Sequence, residues 1–558
     1  MEKVLFIASA MVMAAASSAQ EDPLLGIRVE DVSPWTSVPY SPLKLAVTCR
    51  DAEHRIDIKV ESTDYSDANA SESWRKGLRA PAGTTMVEIP LLRRHSSAYV
   101  RYSIYVDGEY SKDLSGGSSY GYSSTSKTIV MGRWASDFKE ELKKDAEAKK
   151  WSSSNSEITE MRPEHAPIMW QSYCGSIGLF MVDTAALSRL TPQQKEALAR
   201  WVQYGGGVLW LYGAEAREAA DELLPCLGEP EQLTGKADPR VKVSRCMTGL
   251  AVFSEKERPE SLDVDTIRAI SGRARRPYEH TSQRVFKDLH RIPVAGYCVV
   301  AVLLAIIVGP LNLVILRRKN KALWFYVTAP ALALAGMTVL GVYSILSEGL
   351  GIKMNEVAIL VHNLDTGEGV IVQTRGIYAG IAPREGLAYP VETLAVPVHS
   401  SDMLETGSRQ LGVEWGAGQK LASGWVRSRE NSGLYTVTPV RVRMGLNVVS
   451  GPNGVPVVEN RFLSNIVQWA VVPGYKRGGI EVGAKSTKAI EPGKSMEATN
   501  SLPPTMTDAR ALLDIWTSGA VVYAETDGLP YLETGGIDGK VLSGRYFYVA
   551  LKGAHGAE

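Results

Sequence analysis

Two carboxylates are the residues that the sequence places best for ligand binding or chemistry. Asp183 ends the apolar segment 178–183, and Glu215 follows the apolar segment Val208–Tyr212. If both segments are neighbouring parallel strands, the two side chains lie at the carboxyl edge of a sheet, where open α/β sheets bind ligands. A carboxylate in this position also commonly caps a helix or stabilises a turn. We favour the cap or turn role, and Asp183 and Glu215 form a speculative ligand site only.

Cysteines and histidines give no pattern that is typical of a reactive or metal centre. The five cysteines form no C-x-x-C pair, and the eight histidines show no HExxH or paired ligand spacing. We therefore predict no metal, no other cofactor and no catalytic residue. Cys226 and Cys246 would form a disulfide if this region is exported, but isolated buried thiols are the interpretation that we favour.

Length and charge limit the class of protein. A chain of 558 residues is too long for one hydrophobic core, so several domains are expected. Lysine plus arginine and aspartate plus glutamate both number 61, which gives no net charge. Because nucleic-acid-binding proteins normally carry a basic excess, we expect no nucleic-acid partner.

Two uncharged segments in the middle of the chain predict a membrane hairpin. Residues 293–316 and 323–346 contain no charged side chain. As helices each would be about 36 Å long, which is enough to cross a lipid bilayer with some tilt. The loop 317–322 between them carries four cations, which are Arg317, Arg318, Lys319 and Lys321. The positive-inside rule places this loop in the cytoplasm, so both flanking regions lie on the other face.

The polar and helix-breaking residues of the spans are few. Pro310 and Pro330 predict kinks. Asn312 is the one strongly polar side chain; it either bonds the partner helix or lies near the interface without a special role, and we favour the second. The spans contain no aspartate, glutamate, lysine, arginine or histidine. A proton relay or ion pathway is therefore poorly supported.

The first 19 residues resemble a secretion signal. Lys3 precedes the uncharged run 4–16, and the small residues Ser17 and Ala19 fit a cleavage site. An uncleaved anchor is the alternative. Export of the first region agrees with the orientation predicted for the hairpin. We expect a protein of the bacterial cytoplasmic (inner) membrane with both large regions extracytoplasmic, that is, periplasmic.

The region before the membrane divides into two predicted domains and a linker. Residues 20–126 are expected to form an N-terminal β-sandwich, because 43–47, 56–60 and 99–106 alternate or nearly alternate apolar and polar residues. The Ser/Gly/Tyr-rich segment 115–126 is predicted to be a loop.

Residues 127–253 alternate apolar strands with helices, one of them a charged helix at 138–149, which predicts an α/β flavodoxin-like domain with a parallel sheet. In that domain Thr191 and Gln194 have the spacing of a capping box. Residues 254–292, with basic residues at 273–276, are predicted to be a linker.

Three groups of residues carry a resemblance to a known family. They are Trp170–Tyr173, then GLFMVD at 178–183, then LTPQQKEALARWVQYGGGVLWLYG at 190–213. This part resembles class I glutamine amidotransferase-like domains, and more closely those of uncharacterised bacterial membrane proteins. The hairpin residues GPLN at 309–312, LRR at 316–318, Trp324 and Pro330 are similar to the same family's pattern. The resemblance covers about 160–215 and 290–375 and implies an architecture, not an activity.

The amidotransferase reaction itself is not predicted. It needs a nucleophilic cysteine on a sharp strand-to-helix turn, where the helix N-terminus lowers the thiol pKa. Ala214 and Glu215 stand at the matching turn, and Cys174 precedes a strand. The resemblance therefore implies a domain without the thiol mechanism, and we lean towards a protein that is not an enzyme.

The C-terminal region 355–558 is predicted to be mostly β, with one or two sandwich modules and one helix at 507–516. Such modules are used more for binding than for catalysis. The leading hypothesis is a non-enzymatic, membrane-anchored envelope protein that binds a protein or polymer partner. The alternatives are an accessory subunit of an envelope transport or export complex, and an enzyme acting through the α/β domain.

Overall fold

The structure is a computed structural model of the full chain. It describes residues 19–35, 39–63, 69–93, 98–120, 126–133, 136–137, 140, 144, 156–175, 177–228, 230–232, 241–254, 270, 283–287, 289, 294–398, 409–450, 456–471, 484–486, 490–492, 494–497 and 520–551. The protein is multidomain and mostly β, with several sheets and two long apolar helices. The expected signal peptide at 1–19 and the helices expected at 138–149 and 507–516 lie almost wholly outside the described residues.

The first two sheets contain all the strands that precede residue 126. Sheet 1 has the antiparallel order β1-β2-β3-β6. Its strands are β1 Gln20–Asp22, β2 Ile27–Asp31, β3 Tyr40–Cys49 and β6 Gly83–Leu92. Sheet 2 has the order β18-β21-β20-β5-β4-β7-β8. Its strands are β4 His54–Thr63, β5 Asn69–Ala80, β7 Ala98–Val106, β8 Glu109–Tyr120, β18 Leu387–Pro390, β20 Arg409–Trp415 and β21 Gly418–Leu421.

Sheet 2 joins the parts of the chain that precede and follow the membrane segments. Strand β20 pairs in parallel with β5, in a register that sets Gln410 opposite Ala70 and Trp415 opposite Arg75. Apolar residues of sheets 1 and 2 belong to one buried core. The sequence predicts separate regions before and after the hairpin, but the hydrogen bonding of sheet 2 crosses that boundary. Backbone groups of an edge strand accept any extended partner, so local sequence does not reveal this pairing.

Sheet 3 contains the predicted parallel strands. Its order is β10-β9-β11-β12-β15-β14-β13, and the first five of these strands are parallel. The strands are β9 Ser126–Met131, β10 Ser156–Glu160, β11 Ile177–Asp183, β12 Val208–Tyr212, β13 Glu231–Gln232, β14 Lys242–Cys246 and β15 Gly249–Ser254. Strands β11 and β12 are buried along their whole length, as expected for strands covered on both faces.

Three helices with described bounds accompany sheet 3: α1 Thr184–Ser188, α2 Pro192–Gly205 and α3 Ala216–Leu223. The predicted capping box of α2 is confirmed, because Thr191 Oγ1 accepts from the Gln194 amide at 3.3 Å and Gln194 Oε1 accepts from the Thr191 amide at 2.9 Å. Gly206 ends this helix at φ 71°, a left-handed conformation that glycine adopts without steric cost.

The cysteines at the far edge of sheet 3 are paired. Cys226 and Cys246 form a disulfide with a Cα–Cα distance of 5.3 Å. The isolated thiols that we favoured from the sequence are therefore wrong at these positions. Strand β14 brings Cys246 back to the end of α3, a proximity that sequence separation alone does not show.

Two further sheets follow the membrane segments and share a second core. Sheet 4 has the order β19-β22-β17-β16-β29-β28-β25-β26, and sheet 5 has the order β23-β24-β27. Their strands are β16 Ile352–Asn363, β17 Glu368–Ala379, β19 Leu394–Val398, β22 Asn431–Arg441, β23 Leu446–Ser450, β24 Pro456–Asn460, β25 Ile466–Val471, β26 Ala484–Ser486, β27 Ser495–Glu497, β28 Ala520–Thr526 and β29 Lys540–Leu551. Strands β16 and β17 form a long antiparallel hairpin.

The apolar hairpin consists of α4 Val294–Ile306, a π-helical turn Ile307–Leu311, α5 Asn312–Arg318, a short 3-10 turn Ala322–Trp324 and α6 Phe325–Glu348. Two stretches are long and apolar enough to span a membrane, Ala295–Arg318 with mean hydropathy 2.9 and Ala322–Tyr343 with mean hydropathy 1.7. Pro310 lies within the π turn, as expected for a residue that removes a helix hydrogen bond. Pro330 lies within α6, which continues through it.

Two expectations about connecting segments are corrected. Residues 115–120, predicted to be loop, belong to β8, because the Ser/Gly-rich segment pairs with β7. The described end of the predicted linker is not free chain. Val285 and Leu289 are buried, and the Lys287 carbonyl accepts from Asn355 Nδ2 at 2.8 Å.

Candidate functional site

The carboxyl edge of sheet 3 holds Asp183, whose two oxygens have backbone partners. Asp183 is the N-cap of α1, where Oδ1 accepts from the Ala186 amide. Its Oδ2 accepts from the Arg133 amide at 2.7 Å. The side chain is 7% exposed. Asp183 therefore acts as a helix cap that also holds the turn after β9.

Glu215 lies on the next turn of the same edge. It adopts φ 60° and ψ 26° at the position before α3, and its side chain makes no capping hydrogen bond there. The residue is exposed. The parallel pairing of Asp183 with Tyr212 puts Asp183 and this turn at one edge, as the sequence predicts. The Asp183 carboxylate is buried and engaged, whereas that of Glu215 faces solvent, so the two do not form a matched pair for acid–base chemistry.

The Cys174 thiol has the environment of an unreactive cysteine. Cys174 is 4% exposed, and burial raises its pKa well above the usual range. Gly205 approaches it so closely that an added Cβ would stand 2.9 Å from Sγ. A buried, protonated thiol in such packing is a core residue, not a nucleophile. Within the described ranges, no group of three His, Cys, Asp or Glu side chains could hold a metal ion.

An open groove of about 480 Å³ runs along α1, α2 and α3. Its wall includes Lys195, Arg200, Glu222 and Glu368, so cations and anions are mixed along it. Arg200 is held by Glu196 at 2.7 Å and by Glu392 at 2.5 Å. With its principal cation already paired, the groove offers surface for a partner but no convergent set of catalytic groups.

A buried junction at Trp170–Tyr173 joins three parts of the protein. Trp170 Nε1 donates to the Glu392 carbonyl at 2.9 Å, and Gln171 Nε2 donates to the Val391 carbonyl at 2.7 Å. Tyr173 packs against Trp201 of α2 at a centroid distance of 5.6 Å. The same short segment thus touches the α/β sheet region and the region that follows the membrane.

The junction reaches sheet 1 through Glu88. Its carboxylate accepts from the Ile168 amide at 2.7 Å, from the Met169 amide at 3.2 Å and from Ser172 Oγ at 2.7 Å. Lys44, its cross-strand neighbour, donates to the carbonyls of Glu164 at 3.0 Å and Ala166 at 2.8 Å. The two side chains fasten β3 and β6 to the segment that leads into the junction.

Burial acts on both members of this pair. Burial raises the pKa of Glu88, while the hydrogen bonds from Ser172 and Ile168 and the nearby Lys44 charge oppose the rise. Burial lowers the pKa of Lys44, while the charge of Glu88 opposes that shift. Each residue therefore favours the charged form of the other, and removal of one takes away part of what stabilises the charge of the other.

Two further contacts join the region after the apolar hairpin to the rest of the body. Tyr40 Oη of β3 donates to the Ala395 carbonyl of β19 at 2.7 Å. Tyr204 Oη of α2 donates to Glu368 Oε2 at 3.3 Å. The sequence pointed to Trp170–Tyr173 only through a family resemblance. The contacts of Glu88, Lys44 and Glu392 were not predicted. The one available signal was a lysine and a glutamate within otherwise apolar strands.

The two apolar helices contact each other at both ends of the hairpin. Asn312 Nδ2 donates to Thr328 Oγ1 at 2.9 Å. Asn312 therefore bonds the partner helix, and the unengaged role that we favoured is wrong. At the opposite end Tyr297 packs edge-on against Tyr343 at 5.3 Å, a contact that the lack of a side chain at Gly296 permits.

The described residues that precede α4 and follow α6 contact the same pair of strands, β16 and β17. Before α4, the Val285 carbonyl lies against Gly376 of β17, where a Cβ would not fit. After α6, the Gly380 amide donates to the Gly351 carbonyl at 3.0 Å. The described residues before and after the apolar helices thus contact one β-hairpin, β16–β17.

Comparisons with known proteins add little to this description. No protein-family model and no curated protein matches the chain. Among solved structures, the yeast delta-COP-I mu-homology domain complexed with a Dsl1 peptide is similar over 36% of this chain and 95% of that chain, at 7% identity and a TM-score of 0.16. A calcium-binding mutant of Bacteroides uniformis beta-glucuronidase 2 is similar over 86% and 77%, at 10% identity and a TM-score of 0.16.

Proposed function

We propose that this chain is a non-enzymatic, membrane-anchored bacterial envelope protein whose extracytoplasmic body binds a protein or polymer partner. One observation carries the proposal. Strands and side chains from before and after the apolar hairpin form a single body, and this body contacts the described residues on both sides of that hairpin. Strand β20 completes a sheet with β5. A single body built from both parts of the chain suits presentation of a binding surface.

The single body constrains the topology. Residues 69–75 and 409–415 pair directly, so they lie on the same side of any membrane that the hairpin crosses. Two crossings satisfy this requirement, and one crossing does not. Arg317, Arg318, Lys319 and Lys321 lie in or next to the turn between the helices, which supports a cytoplasmic turn and a periplasmic body at the inner membrane. The disulfide Cys226–Cys246 supports an oxidising compartment.

The finer fold assignments belong to the same proposal. Sheets 1 and 2 share a core and would form the N-terminal β-sandwich. Sheet 3, with its parallel strands and three helices, would be the flavodoxin-like, amidotransferase-like domain of the family that the sequence resembles. Its strand-to-helix turn carries Ala214 and Glu215 where a thiol nucleophile would stand, which supports a binding role over acyl transfer.

Cysteine labelling in intact cells tests the proposal. In a Cys298→Ala background, Ala52→Cys and Lys540→Cys place exposed thiols on the body before and after the hairpin, and Asn320→Cys places one in the turn. We expect a membrane-impermeant maleimide to label the first two once the outer envelope layer is permeabilised. Asn320→Cys is expected to react only after the inner membrane is opened. Labelling of Asn320→Cys alone in closed cells would overturn the orientation.

A further inference from the structure

The outer face of sheet 2 carries a cleft between β7 and β8 that no contact described above explains. The cleft has a volume of about 450 Å³, and we call it the tyrosine cleft. Its lining includes Tyr99, Arg101, Ser103, Tyr110 and Lys112. This volume falls within the range of about 300–1000 Å³ that is usual for ligand sites.

The aromatic rings of the cleft are displayed to solvent. Tyr99 is 49% exposed and Tyr110 is 55% exposed. The ring of Tyr110 lies 5.6 Å from that of Tyr105, which in turn stacks on Trp74 at 5.9 Å. The rings therefore form a row across several strands of the sheet. Such a row suits an elongated ligand with successive flat apolar faces.

The charge of the cleft is positive. Arg101 and Lys112 line it, and no acidic residue does. Neither cation forms an ion pair with another residue in the part of the chain that the structure describes. On the adjacent strand β4, Glu61 is the cross-strand neighbour of Arg101, but its carboxylate is paired with Lys59 at 2.7 Å, and Lys59 also contacts Glu72 at 3.2 Å. The cations of the cleft are thus available to an anionic ligand.

We infer that the tyrosine cleft binds an acidic polysaccharide, of which a chain of uronic acids is the simplest case. One face of a pyranose ring presents C–H groups that pack on an aromatic ring, and its carboxylate pairs with arginine or lysine. Ser103 offers a hydroxyl for the sugar hydroxyls.

This inference rests on the proposed function, because it requires the face to meet envelope polymers. The full chain in nanodiscs of zwitterionic lipid is titrated with an oligogalacturonate, a neutral oligoglucan of equal length and an oligoglutamate peptide. We expect the oligogalacturonate to bind with a Kd below about 1 mM. We expect at least about tenfold weaker binding by the other two, and an affinity that falls as salt screens the charges.

Variants separate the cleft from the rest of the surface. Arg101→Gln and Tyr110→Ala each weaken oligogalacturonate binding by about tenfold, the factor expected for loss of one charged hydrogen bond or one aromatic contact. Arg79→Gln is the matched control, since Arg79 is an exposed arginine of β5 that does not line the cleft, and the affinity of this variant stays unchanged. The inference is overturned by absent binding, by equal binding of either comparison ligand, or by unchanged affinity in both cleft variants. Because cysteine labelling reports orientation separately, a body labelled outside that binds no oligogalacturonate removes this inference alone.

Discussion

Replacement of Glu88 by alanine tests the junction that holds the body together. Glu88→Ala removes the acceptor of the Ile168 and Met169 amides and of Ser172 Oγ, and it leaves Lys44 without its nearby anion. Loss of three hydrogen bonds at about 1 kcal/mol each, together with the buried donors left unsatisfied, costs about 3 kcal/mol or more. Ser172→Ala removes a single hydrogen bond from the same carboxylate, which costs about 1 kcal/mol.

Amide hydrogen exchange measures the difference in local stability between Glu88→Ala and Ser172→Ala at the segment that Glu88 binds. A local loss of about 3 kcal/mol accelerates amide exchange by about a hundredfold, because each 1.4 kcal/mol is a factor of about ten. We expect that acceleration at Ile168 and Met169 in Glu88→Ala protein in detergent micelles, and less than about tenfold in Ser172→Ala. Equal exchange in the two variants would show that Glu88 does not anchor this segment, and the assembly that we describe would lose its main electrostatic support.

Three other measurements follow from particular contacts. Burial lowers the pKa of His362 to about 4, so its contribution to stability is complete above about pH 6.5 and is lost as pH falls towards 4. His362→Gln should remove up to about 3 kcal/mol of that acid sensitivity in urea unfolding, and identical pH profiles would refute the assignment. A double-mutant cycle of Asn312→Leu and Thr328→Val should give a coupling energy of about 0.6–1.7 kcal/mol, whereas no coupling would remove the interhelical bond. Alkylation in denaturant should modify three cysteines without reductant and five with it; five without reductant would exclude the Cys226–Cys246 disulfide.

The apolar helices were predictable because their cause is local. Long uncharged stretches need only their own side chains to be recognised, and the helices begin and end close to the predicted bounds. The capping box at Thr191 and Gln194 was predictable for the same reason, since both partners lie within one turn. The loop predicted at 115–120 was not, because its glycines and serines pair with β7 despite low strand preference.

The candidate site was only partly accessible from sequence. The strand-end position of Asp183 followed from the alternation of strand and helix, but the use of its two oxygens depends on Ala186 and on Arg133, which is distant in sequence. A carboxylate that is free to bind and one that caps a helix have the same local sequence. The distinction therefore needs the positions of donors that come from other segments.

By itself the sequence determined the apolar hairpin, its cationic turn and several strands and helices, because hydrophobic periodicity and end signals act within a few residues. The tertiary structure decided that β20 pairs with β5, that Glu88 holds the segment before Trp170, and that one body spans both sides of the hairpin in the chain. Backbone hydrogen bonds between strands and contacts of buried charges depend on which segments meet. That choice is made by the packing of the whole chain, at sequence separations where no local pattern is visible.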